Sequence, residues 1–274
     1  MNEPAESGAR AYDDLYQEFE SPLMQQIRRE AHGEDIGQHS WVSAEELRQD
    51  ISRLGLSGAS RLLDLGCGPC GPLTFLVRLI GCHGTGVDMS AAAIAAGRAR
   101  AASLGLDQLV DLHQADLNEP LPFASGTFDA VMSLDVILHL RDRAAVFREV
   151  ARVLTPGGRF LMTDAGVITG PISNEEVERR SIHGQTRFVP PGYNEPTLQL
   201  AELRLIHGED RTASPLKIAT GRLAARLAHR ADVEPLEGTA RFEREQRYLA
   251  TVIALSGRGA LSRMMYLSET YPPR

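Results

Sequence analysis

The feature that most constrains the fold is an alternation of short apolar runs and helical segments between residues 60 and 165. The apolar runs suited to strands are RLLDL (61–65), CHGTGVD (82–88), VDLHQAD (110–116), FDAVMSL (128–134) and GRFLMTDA (158–165). Segments of helical character lie between them, at 71–80, 90–105 and 141–154. Near-continuous apolar strands that alternate with helices favour a parallel sheet covered on both faces. The sequence therefore predicts a doubly wound α/β fold.

The chain on either side of this core has a different character. Helices are predicted ahead of it at 10–31 and 43–54, and residues 166–196 have the proline, glycine and charge of an insertion or lid. The C-terminal part predicts a strand, two helices and a last strand, at 203–212, 215–230, 239–257 and 260–269. The predicted divisions are an N-terminal helical cap (1–58), the core (59–165), an insertion or lid (166–202), and a segment that completes the sheet and adds a helical substrate cap (203–274).

Bulk composition narrows the class of protein. With 274 residues, 43% of them hydrophobic, the chain can form one large domain or a domain with a cap. A net charge of -7 argues against nucleic acid as the main partner, because phosphate neutralisation needs a concentrated basic surface. The polar N-terminus has no signal-peptide pattern, no apolar run approaches membrane-spanning length, and three cysteines are too few for a disulfide framework. We therefore expect a cytoplasmic protein without a membrane or nucleic-acid partner.

One stretch, RLLDLGCGPCGPL (61–73), admits two different chemistries. Cys67 and Cys70 have the spacing of a thioredoxin-like dithiol. Gly66, Gly68 and Gly71 have the G-x-G-x-x-G spacing of a turn that presents backbone N–H groups and a helix N-terminus to a nucleotide-type cofactor. Both cysteines are accounted for as small residues in a tight turn, so the cofactor interpretation is favoured.

A nucleotide-type cofactor also requires an acidic residue at the end of the next strand, about twenty residues further on, to accept hydrogen bonds from ribose hydroxyls. Asp88 in GTGVDMS meets this requirement. A glycine motif and one acid do not separate the possible cofactors. An NAD(P)-dependent oxidoreductase is one alternative, although the second mononucleotide-binding half that such an enzyme usually needs is not clear in this chain. A non-catalytic, cofactor-binding subunit is another.

Four motifs follow one another along the core: LDLGCG, GVDMS, QADLNEPLPFASGTFDAVMSLDVILHL and RVLTPGGRFLMTD. In this order the sequence resembles the class I S-adenosylmethionine-dependent methyltransferases, specifically the small-molecule branch with sugar O-methyltransferases of natural-product pathways and sarcosine and dimethylglycine N-methyltransferases. The resemblance covers about residues 60–165, and GEDIGQHSW is similar to a loop ahead of the core in the glycine-derivative enzymes. It implies a Rossmann-like, mainly parallel seven-stranded sheet. It also implies in-line transfer of a methyl group from S-adenosylmethionine to an O, N or C atom of a small molecule, with S-adenosylhomocysteine as product.

The resemblance assigns roles to residues at the motif positions. In that family the glycine-rich turn holds the methionine part of the cofactor, which implies this role for Asp64, Gly66 and Gly68. By the same resemblance Asp88 holds the ribose diol and Met89 packs on the adenine. The remaining residues that it assigns to cofactor binding are Asp116 for the adenine amino group, Leu117 through its backbone N–H, and Leu134.

The candidate general base is His139, which comes just after the fourth strand at the carboxyl edge of the sheet, where ligands bind in open α/β folds. An ordinary histidine pKa of about 6.5 suits proton removal near neutral pH. Asp164 is predicted to end the fifth strand and to face the same pocket, where it would orient His139 or stabilise its charge. The resembling sugar O-methyltransferases have a histidine and an aspartate implicated in catalysis at these positions. The sequence leaves open which atom of the acceptor is methylated, since a hydroxyl must lose a proton and an amine can arrive neutral.

Further candidates lie outside the core. The aromatic residues Tyr12, Tyr16, Phe19 and Trp41 would form a wall over the site if the N-terminal helices fold back, with Tyr16 and Trp41 as candidate substrate contacts. Core packing is the competing interpretation.

Two groups of polar residues are also candidates for a functional role. The cluster of His32, Glu34, Asp35 and His39 matches no metal-ligand spacing, so no metal is predicted. Arginines also recur every four positions, at Arg222, Arg226 and Arg230. This pattern is typical of a solvated helix face, but it would also suit an acidic substrate or a partner subunit. Formation of a homo-oligomer is left open.

Overall fold

The computed structural model describes residues 13, 16, 18–181 and 186–271. Its centre is a seven-stranded sheet of order β3-β2-β1-β4-β5-β7-β6. The strands are β1 (Arg61–Leu65), β2 (His83–Asp88), β3 (Val110–Gln114), β4 (Phe128–Leu134), β5 (Leu154–Ile168), β6 (Leu203–Asp210) and β7 (Leu261–Thr270). Strands β1 to β5 pair in parallel, whereas β7 is antiparallel to both β5 and β6. The predicted mainly parallel, doubly wound sheet is confirmed.

Within the described ranges, ten α-helices surround the sheet. They are α1 (Pro22–His32), α2 (Ala44–Leu54), α3 (Gly71–Ile80), α4 (Ala91–Ser103), α5 (Arg143–Val153), α6 (Asn174–Arg180), α7 (Asn194–Leu200), α8 (Ala213–Ala228), α9 (Arg230–Glu237) and α10 (Thr239–Gly257). A short 3-10 turn, Ile137–His139, follows β4. None of the helices in this part of the chain has the length and apolar character needed to cross a membrane.

The core lies on both faces of the sheet, as the doubly wound pattern requires. Successive residues of β1, Leu62 and Leu63, are fully buried and belong to different apolar clusters. Leu62 packs with the cluster that contains residues of α3 and α4, and Leu63 with the cluster that contains Phe147 of α5. This arrangement follows from the two-residue period of a strand. It explains why RLLDL is continuously apolar up to the acid that precedes the glycines.

Local capping signals set the ends of the N-terminal helices. Ser21 caps α1, and Ser43 with Glu46 forms a capping box at the start of α2. Helix α1 therefore begins at Pro22 rather than at residue 10, and much of the remainder of the predicted 10–31 helix lies outside the described residues. The loop between α1 and α2 packs directly on the core: a Cβ atom on Gly71 would lie 2.2 Å from the carbonyl oxygen of Gly37, so only glycine fits there.

Strand β5 also departs from its expected boundaries. The sequence predicts a strand that ends at residue 165, but β5 continues to Ile168 because its last residues, Val167 and Ile168, pair with β7. Asp164 consequently lies inside the strand, beside an irregularity in the β5–β7 register. The predicted helix 215–230 is also divided, because α8 ends at Ala228 and the separate helix α9 follows.

Candidate active site

The sheet topology brings the motif residues to one edge. In parallel strands the carboxyl ends lie on the same side, and β1, β2 and β4 end at Leu65, Asp88 and Leu134. Strand β3 ends beside β2, with Gln114 opposite Asp88. This edge of the sheet is the region in which open α/β folds bind their ligands.

The glycine turn after β1 is fixed to the neighbouring strand. The backbone N–H groups of Gly66 and Cys67 both donate to the carbonyl oxygen of Val87, at 2.8 and 3.1 Å. Gly66 has a φ of 75°, and a Cβ atom there would lie 2.5 Å from a methyl group of Val136. No residue with a side chain fits this position without displacing its neighbours. The tight turn explains why the sequence has glycine directly after the strand.

The two cysteines in this turn are buried free thiols. Both sulfurs lie 3.6 Å from the carbonyl oxygen of Gly68, to which each thiol donates. The hydrogen bond between the thiols of Cys67 and Cys70, together with burial, raises the pKa of Cys67 well above its ordinary value. A redox dithiol needs the opposite, an accessible thiol with a lowered pKa. The cysteines therefore serve as packing residues beneath the glycine turn.

Asp88 connects the ends of β1 and β2. Its carboxylate accepts hydrogen bonds from the N–H groups of Gly68 and Ser90, both at 2.9 Å. Burial raises its pKa, while these hydrogen bonds act in the opposite direction. A carboxylate has about four acceptor positions, and the two amides occupy two of them. A backbone hydrogen bond from Met89 also acts on this carboxylate, so the backbone holds Asp88 with acceptor capacity left for about one further donor, such as a hydroxyl.

Asp64 lies on β1 just before the turn and is buried, whereas Asp88 is half-buried. Burial, and secondarily the nearby Asp88 carboxylate, raises the pKa of Asp64 to about 8. Two acids that lie close together would be stabilised by a ligand that brings positive charge. This half of the site is therefore electrostatically suited to a cationic group.

The other residues assigned to the cofactor lie at the same edge. Asp116, after β3, accepts hydrogen bonds from the backbone and side-chain N–H groups of Asn118 at 2.9 and 2.7 Å. Leu117 and Leu134 are buried, and the carbonyl of Met89 accepts a hydrogen bond from Gln114 at 3.1 Å. The structure brings these residues to the edge where β2, β3 and β4 end, and their roles in cofactor binding stay predictions.

His139 ends the 3-10 turn that follows β4, at the carboxyl edge of the sheet. Burial, and secondarily the positive charge of Arg180, lowers the pKa of His139 to about 4, while Asp135 acts in the raising direction. The imidazole is consequently neutral at pH 7 and can accept a proton, although it is a weaker base than an exposed histidine. The pKa of His39, lowered to about 3 mainly by burial, is also influenced by His139, so the two rings lie near each other.

Asp135 is a site residue that the sequence analysis missed. It follows β4 directly and has a φ of 60°. Its carboxylate accepts hydrogen bonds from the backbone N–H of Trp41 at 2.9 Å and from the Nε of Arg263 at 2.8 Å. The hydroxyl of Thr163 donates to it as well, at 2.9 Å. An aspartate immediately after an apolar strand was the available signal. Its partners come from β5, β7 and the N-terminal cap and could not be identified from local sequence.

Asp164 lies inside β5 rather than at its end, and its predicted catalytic role stays a prediction. Its side chain is completely buried and accepts hydrogen bonds from Arg143 Nη1, from Asn194 Nδ2 at 2.9 Å, and from the Gly166 N–H at 2.9 Å. The reason is the extension of β5, which keeps residue 164 inside the strand, beneath the segment that leads to α7. Arg143 also donates to the carbonyl of Arg187 at 2.7 Å, so the Asp164 cluster fastens the insertion to the core. The carboxylate that acts on His139 is that of Asp135.

The aromatic residues of the cap lie in two places. The hydroxyl of Tyr16 is 3.1 Å from the position that a Cβ atom on Gly68 would occupy, so this ring covers the glycine turn. Phe19 and His39 make edge contacts with the Tyr16 ring. Trp41 lies further along, stacked on Tyr248 of α10 with ring centroids 6.3 Å apart. Tyr12 lies outside the described residues.

The polar cluster of the N-terminal loop is accounted for by pairing. Glu34 pairs with Arg48, and Asp35 with Arg28. Burial, and secondarily Arg222, lowers the pKa of His32 to about 2. In the described part of the chain, no group of three or more histidine, cysteine, aspartate or glutamate side chains could hold a metal ion.

Comparisons with known proteins agree with this geometry. A family model described as a methyltransferase domain matches residues 63–162. Among curated proteins, the chain is 36% identical over 126 residues to methyltransferase GfsG of Streptomyces halstedii, covering 46% of this chain and 45% of the relative. It is 35% identical over 123 residues to a glycine/sarcosine/dimethylglycine N-methyltransferase of Actinopolyspora halophila, covering 45% of this chain and 22% of the relative. Each match thus spans less than half of the relative's own length.

Solved structures share the fold over almost the whole chain. A phosphoethanolamine N-methyltransferase 2 of Haemonchus contortus has a TM-score of 0.79 at 20% identity, over 96% of this chain and 60% of that chain. The [4+2]-cyclase SpnF has a TM-score of 0.75 at 21% identity, over 98% of this chain and 97% of that chain. The matched segment 63–162 contains the glycine turn, the Asp88 carboxylate and His139 at one edge of the sheet. Residues 63–162 are therefore similar in sequence to a methyltransferase domain, and the chain has the same fold as these solved structures.

Proposed function

We propose that this protein transfers a methyl group from S-adenosylmethionine to an O or N atom, or a C atom, of a small molecule, and releases S-adenosylhomocysteine. The observation that carries the proposal is the Asp88 carboxylate, held between the amides of Gly68 and Ser90 at the carboxyl edge of the sheet. This position follows the glycine turn and lies inside the methyltransferase match. The curated relatives are named as methyltransferases, which supports the same reaction class.

The charges at this edge fit the proposed cofactor. Asp64 is buried and Asp88 half-buried, and desolvation is the main cause that raises the pKa of each acid. S-adenosylmethionine carries an α-ammonium and a sulfonium beside one carboxylate, so its methionine part would bring a net positive charge close to Asp64. We assign Asp64, Gly66 and Gly68 to the methionine part and Asp88 to the ribose hydroxyls. Met89, Asp116, Leu117 and Leu134 are assigned to the adenine side.

When bound, the cofactor supplies a methyl group activated by the sulfonium. The chain contributes orientation, because displacement requires the acceptor atom in line with that methyl group. His139, neutral at pH 7, is placed to accept a proton from a hydroxyl acceptor at Nδ1 or Nε2. Asp135 acts to raise the pKa of that histidine. The proposed substrate contacts are Trp41, whose backbone N–H donates to Asp135, and Tyr16, which lies over the glycine turn.

The divisions of the chain follow from this assignment. Residues 59–165 form the cofactor-binding core, 1–58 the N-terminal cap and 166–202 the insertion, and 203–274 complete the sheet and add the substrate cap. We place the protein in the cytoplasm, a location that its three free thiols support.

The experiment combines binding with a direct assay of methyl transfer. Calorimetry with S-adenosylhomocysteine should show binding to the wild-type protein, and radiolabelled S-adenosylmethionine should methylate members of a panel of small hydroxyl and amine compounds. Methyl transfer must be measured because a chain of nearly the same fold is named as a cyclase. Absence of S-adenosylhomocysteine binding, or binding of a nicotinamide dinucleotide in its place, would contradict the proposal.

A further inference from the structure

One buried arginine differs from all the others. The arginines that are almost completely buried are Arg28, Arg143, Arg180, Arg211, Arg226 and Arg263. Five of them pair with a carboxylate: Arg28 with Asp35, Arg143 with Asp164, Arg211 with Asp50, Arg226 with Glu237, and Arg263 with Asp135. Among the described residues, Arg180 has no carboxylate at ion-pair distance, although its exposure is 2%. An unpaired buried guanidinium is unfavourable, so Arg180 requires an explanation.

The neutral contacts of Arg180 leave much of its guanidinium unused. Nη1 donates to the Tyr248 hydroxyl at 3.0 Å, and Nη2 donates to the Ala165 carbonyl at 3.4 Å. Nε makes no hydrogen bond. Since a guanidinium has five N–H donors, these two contacts do not satisfy it. Arg180 also borders a small cavity of about 10 Å³, which has room for about one water molecule or one oxygen atom of a ligand.

A second guanidinium lies on the same aromatic stack. Arg222 of α8 lies 5.1 Å from the ring centroid of Trp41, which stacks on Tyr248, and Arg180 lies 5.3 Å from the Tyr248 centroid. Arg222 donates to the carbonyl of His39 at 2.7 Å. It likewise has no ion pair with a described carboxylate; Glu245 acts on it through space only. The other two arginines of its series, Arg226 and Arg230, pair with glutamates.

This positive charge adjoins the candidate base. The positive charge of Arg180 lowers the pKa of His139. The acid that acts on His139, Asp135, already pairs with Arg263. The acceptor half of the crevice therefore has two guanidiniums without a carboxylate partner in the described chain. A ligand that brings negative charge to this place would supply the missing partner.

We propose that the methyl acceptor carries an oxyanion group, a carboxylate or a phosphoryl group, that binds Arg180, with Arg222 as a second positive charge beyond the Trp41–Tyr248 stack. The inference rests on the proposed methyl transfer and names its substrate class. The bound oxyanion holds the acceptor beside His139, at the carboxyl ends of β4 and β5. Arg180 is then a residue of substrate binding and specificity.

The test uses inorganic phosphate and acetate as separate probes of the two oxyanion types. Each is titrated into the full chain by calorimetry, with and without saturating S-adenosylhomocysteine. We expect at least one probe to bind with a dissociation constant on the order of millimolar, as is usual for a ligand of so few atoms. In Arg180→Gln the affinity should fall by about tenfold or more, because a charge-assisted hydrogen bond is lost. The matched control is Arg179→Gln, since Arg179 is the neighbouring residue on α6, is exposed and pairs with Glu175.

The outcomes separate this inference from the proposed function. Binding of neither probe by the wild type at about 50 mM, or equal affinities in Arg180→Gln and Arg179→Gln, would overturn the oxyanion site. Loss of S-adenosylhomocysteine binding concerns the proposed function instead, and the titrations without it still report on Arg180. If Arg180→Gln fails to fold by circular dichroism, Arg222→Gln provides the comparison, with an expected loss of about threefold for a charge that lies further from the probe.

Discussion

The two halves of the crevice are opposite in charge and in the way the chain builds them. The proposed cofactor half contains the acids Asp64 and Asp88 and comes mostly from the stretch between β1 and Leu117, with Leu134 from the end of β4. The acceptor half contains Arg180, Arg222 and His139 and is assembled from the N-terminal loop, β4, α6, α8 and α10. On the proposed assignment, a local motif would bind the cofactor, whereas segments distant in the sequence would bind the acceptor. Experiments on each half can test this division.

The largest expected effect is on stability, through Asp164→Asn. This change leaves the buried guanidinium of Arg143 without its carboxylate partner, which typically costs about 3–5 kcal/mol. Urea unfolding measures the loss, and affinity for S-adenosylhomocysteine at low temperature should change by less than about twofold, because distant sites are independent. Glu175→Gln, which removes an exposed ion pair, is the control and should cost less than about 1 kcal/mol. A stable Asp164→Asn variant that loses methyl transfer would instead restore the predicted catalytic role of Asp164.

On the cofactor half, Asp88→Ala should weaken S-adenosylhomocysteine binding by about 30- to 100-fold. It removes a charged acceptor and also frees the amides of Gly68 and Ser90, and hydrogen bonds to charged groups contribute about 1.5–3 kcal/mol each. Calorimetry gives the dissociation constant. Asp111→Ala is the matched control, because this acid lies on the adjacent strand β3 and is 74% exposed. Equal affinities in the two variants would show that the ligand does not use the end of β2.

On the acceptor half, acid should destabilise the protein through its buried histidines. The pKa of His139 is lowered to about 4, so the folded state stays neutral at pH values where the unfolded chain, with an ordinary pKa of about 6.5, takes up a proton. The contribution of neutral His139 to the free energy of unfolding is therefore fully present above about pH 6.5 and is lost as the pH falls towards 4. Between pH 7 and pH 5 the wild type should lose about 1–2 kcal/mol more of its free energy of unfolding than His139→Gln does, as measured by urea unfolding. The exposed His83 provides the control, and an identical pH dependence in His139→Gln and His83→Gln would contradict the prediction.

The smallest effect concerns a single proton on the cofactor half. Because the pKa of Asp64 is raised to about 8, this group is largely protonated at pH 7, and the α-ammonium group of the ligand should displace its proton. Calorimetric titration of S-adenosylhomocysteine in buffers of different ionisation enthalpy should show the release of up to about one proton at pH 7 in the wild type and less in Asp64→Asn. The raised pKa also means that folding stability falls as the pH rises from about 4 to 8, a decline that Asp64→Asn should remove. Buffer-independent enthalpies in the wild type would rule out this coupling.

The fold could be predicted because its signals are local. Apolar strands, capping residues and glycine turns each act within a few residues, and the predicted strands β1, β2 and β4 end within a residue of their observed ends. The error at β5 has a different origin, since its last residues are strand only through pairing with β7. Pairing of that kind joins segments about a hundred residues apart and leaves no mark in the local pattern.

The acceptor half was harder to predict for the same reason. The contacts of Asp135 with Trp41 and Arg263 join residues separated by 94 and 128 positions. An arginine in SNEEVERRS gives no local sign of whether it will be exposed, as Arg179 is, or buried without a carboxylate, as Arg180 is. Adjacent positions on α6 face opposite environments, and only the packing of that helix against Tyr248 distinguishes them.

The sequence by itself determined the alternating sheet, the glycine turn and the acid at the end of β2, because each depends on residues that are close together in the chain. Tertiary structure alone decided that Asp164 is enclosed by Arg143 and Asn194, that Asp135 faces His139, and that two guanidiniums lie at the acceptor side. Burial and charge depend on which segments meet, and the meeting of α6, α8, α10 and β7 over the edge of the sheet is a property of the folded chain.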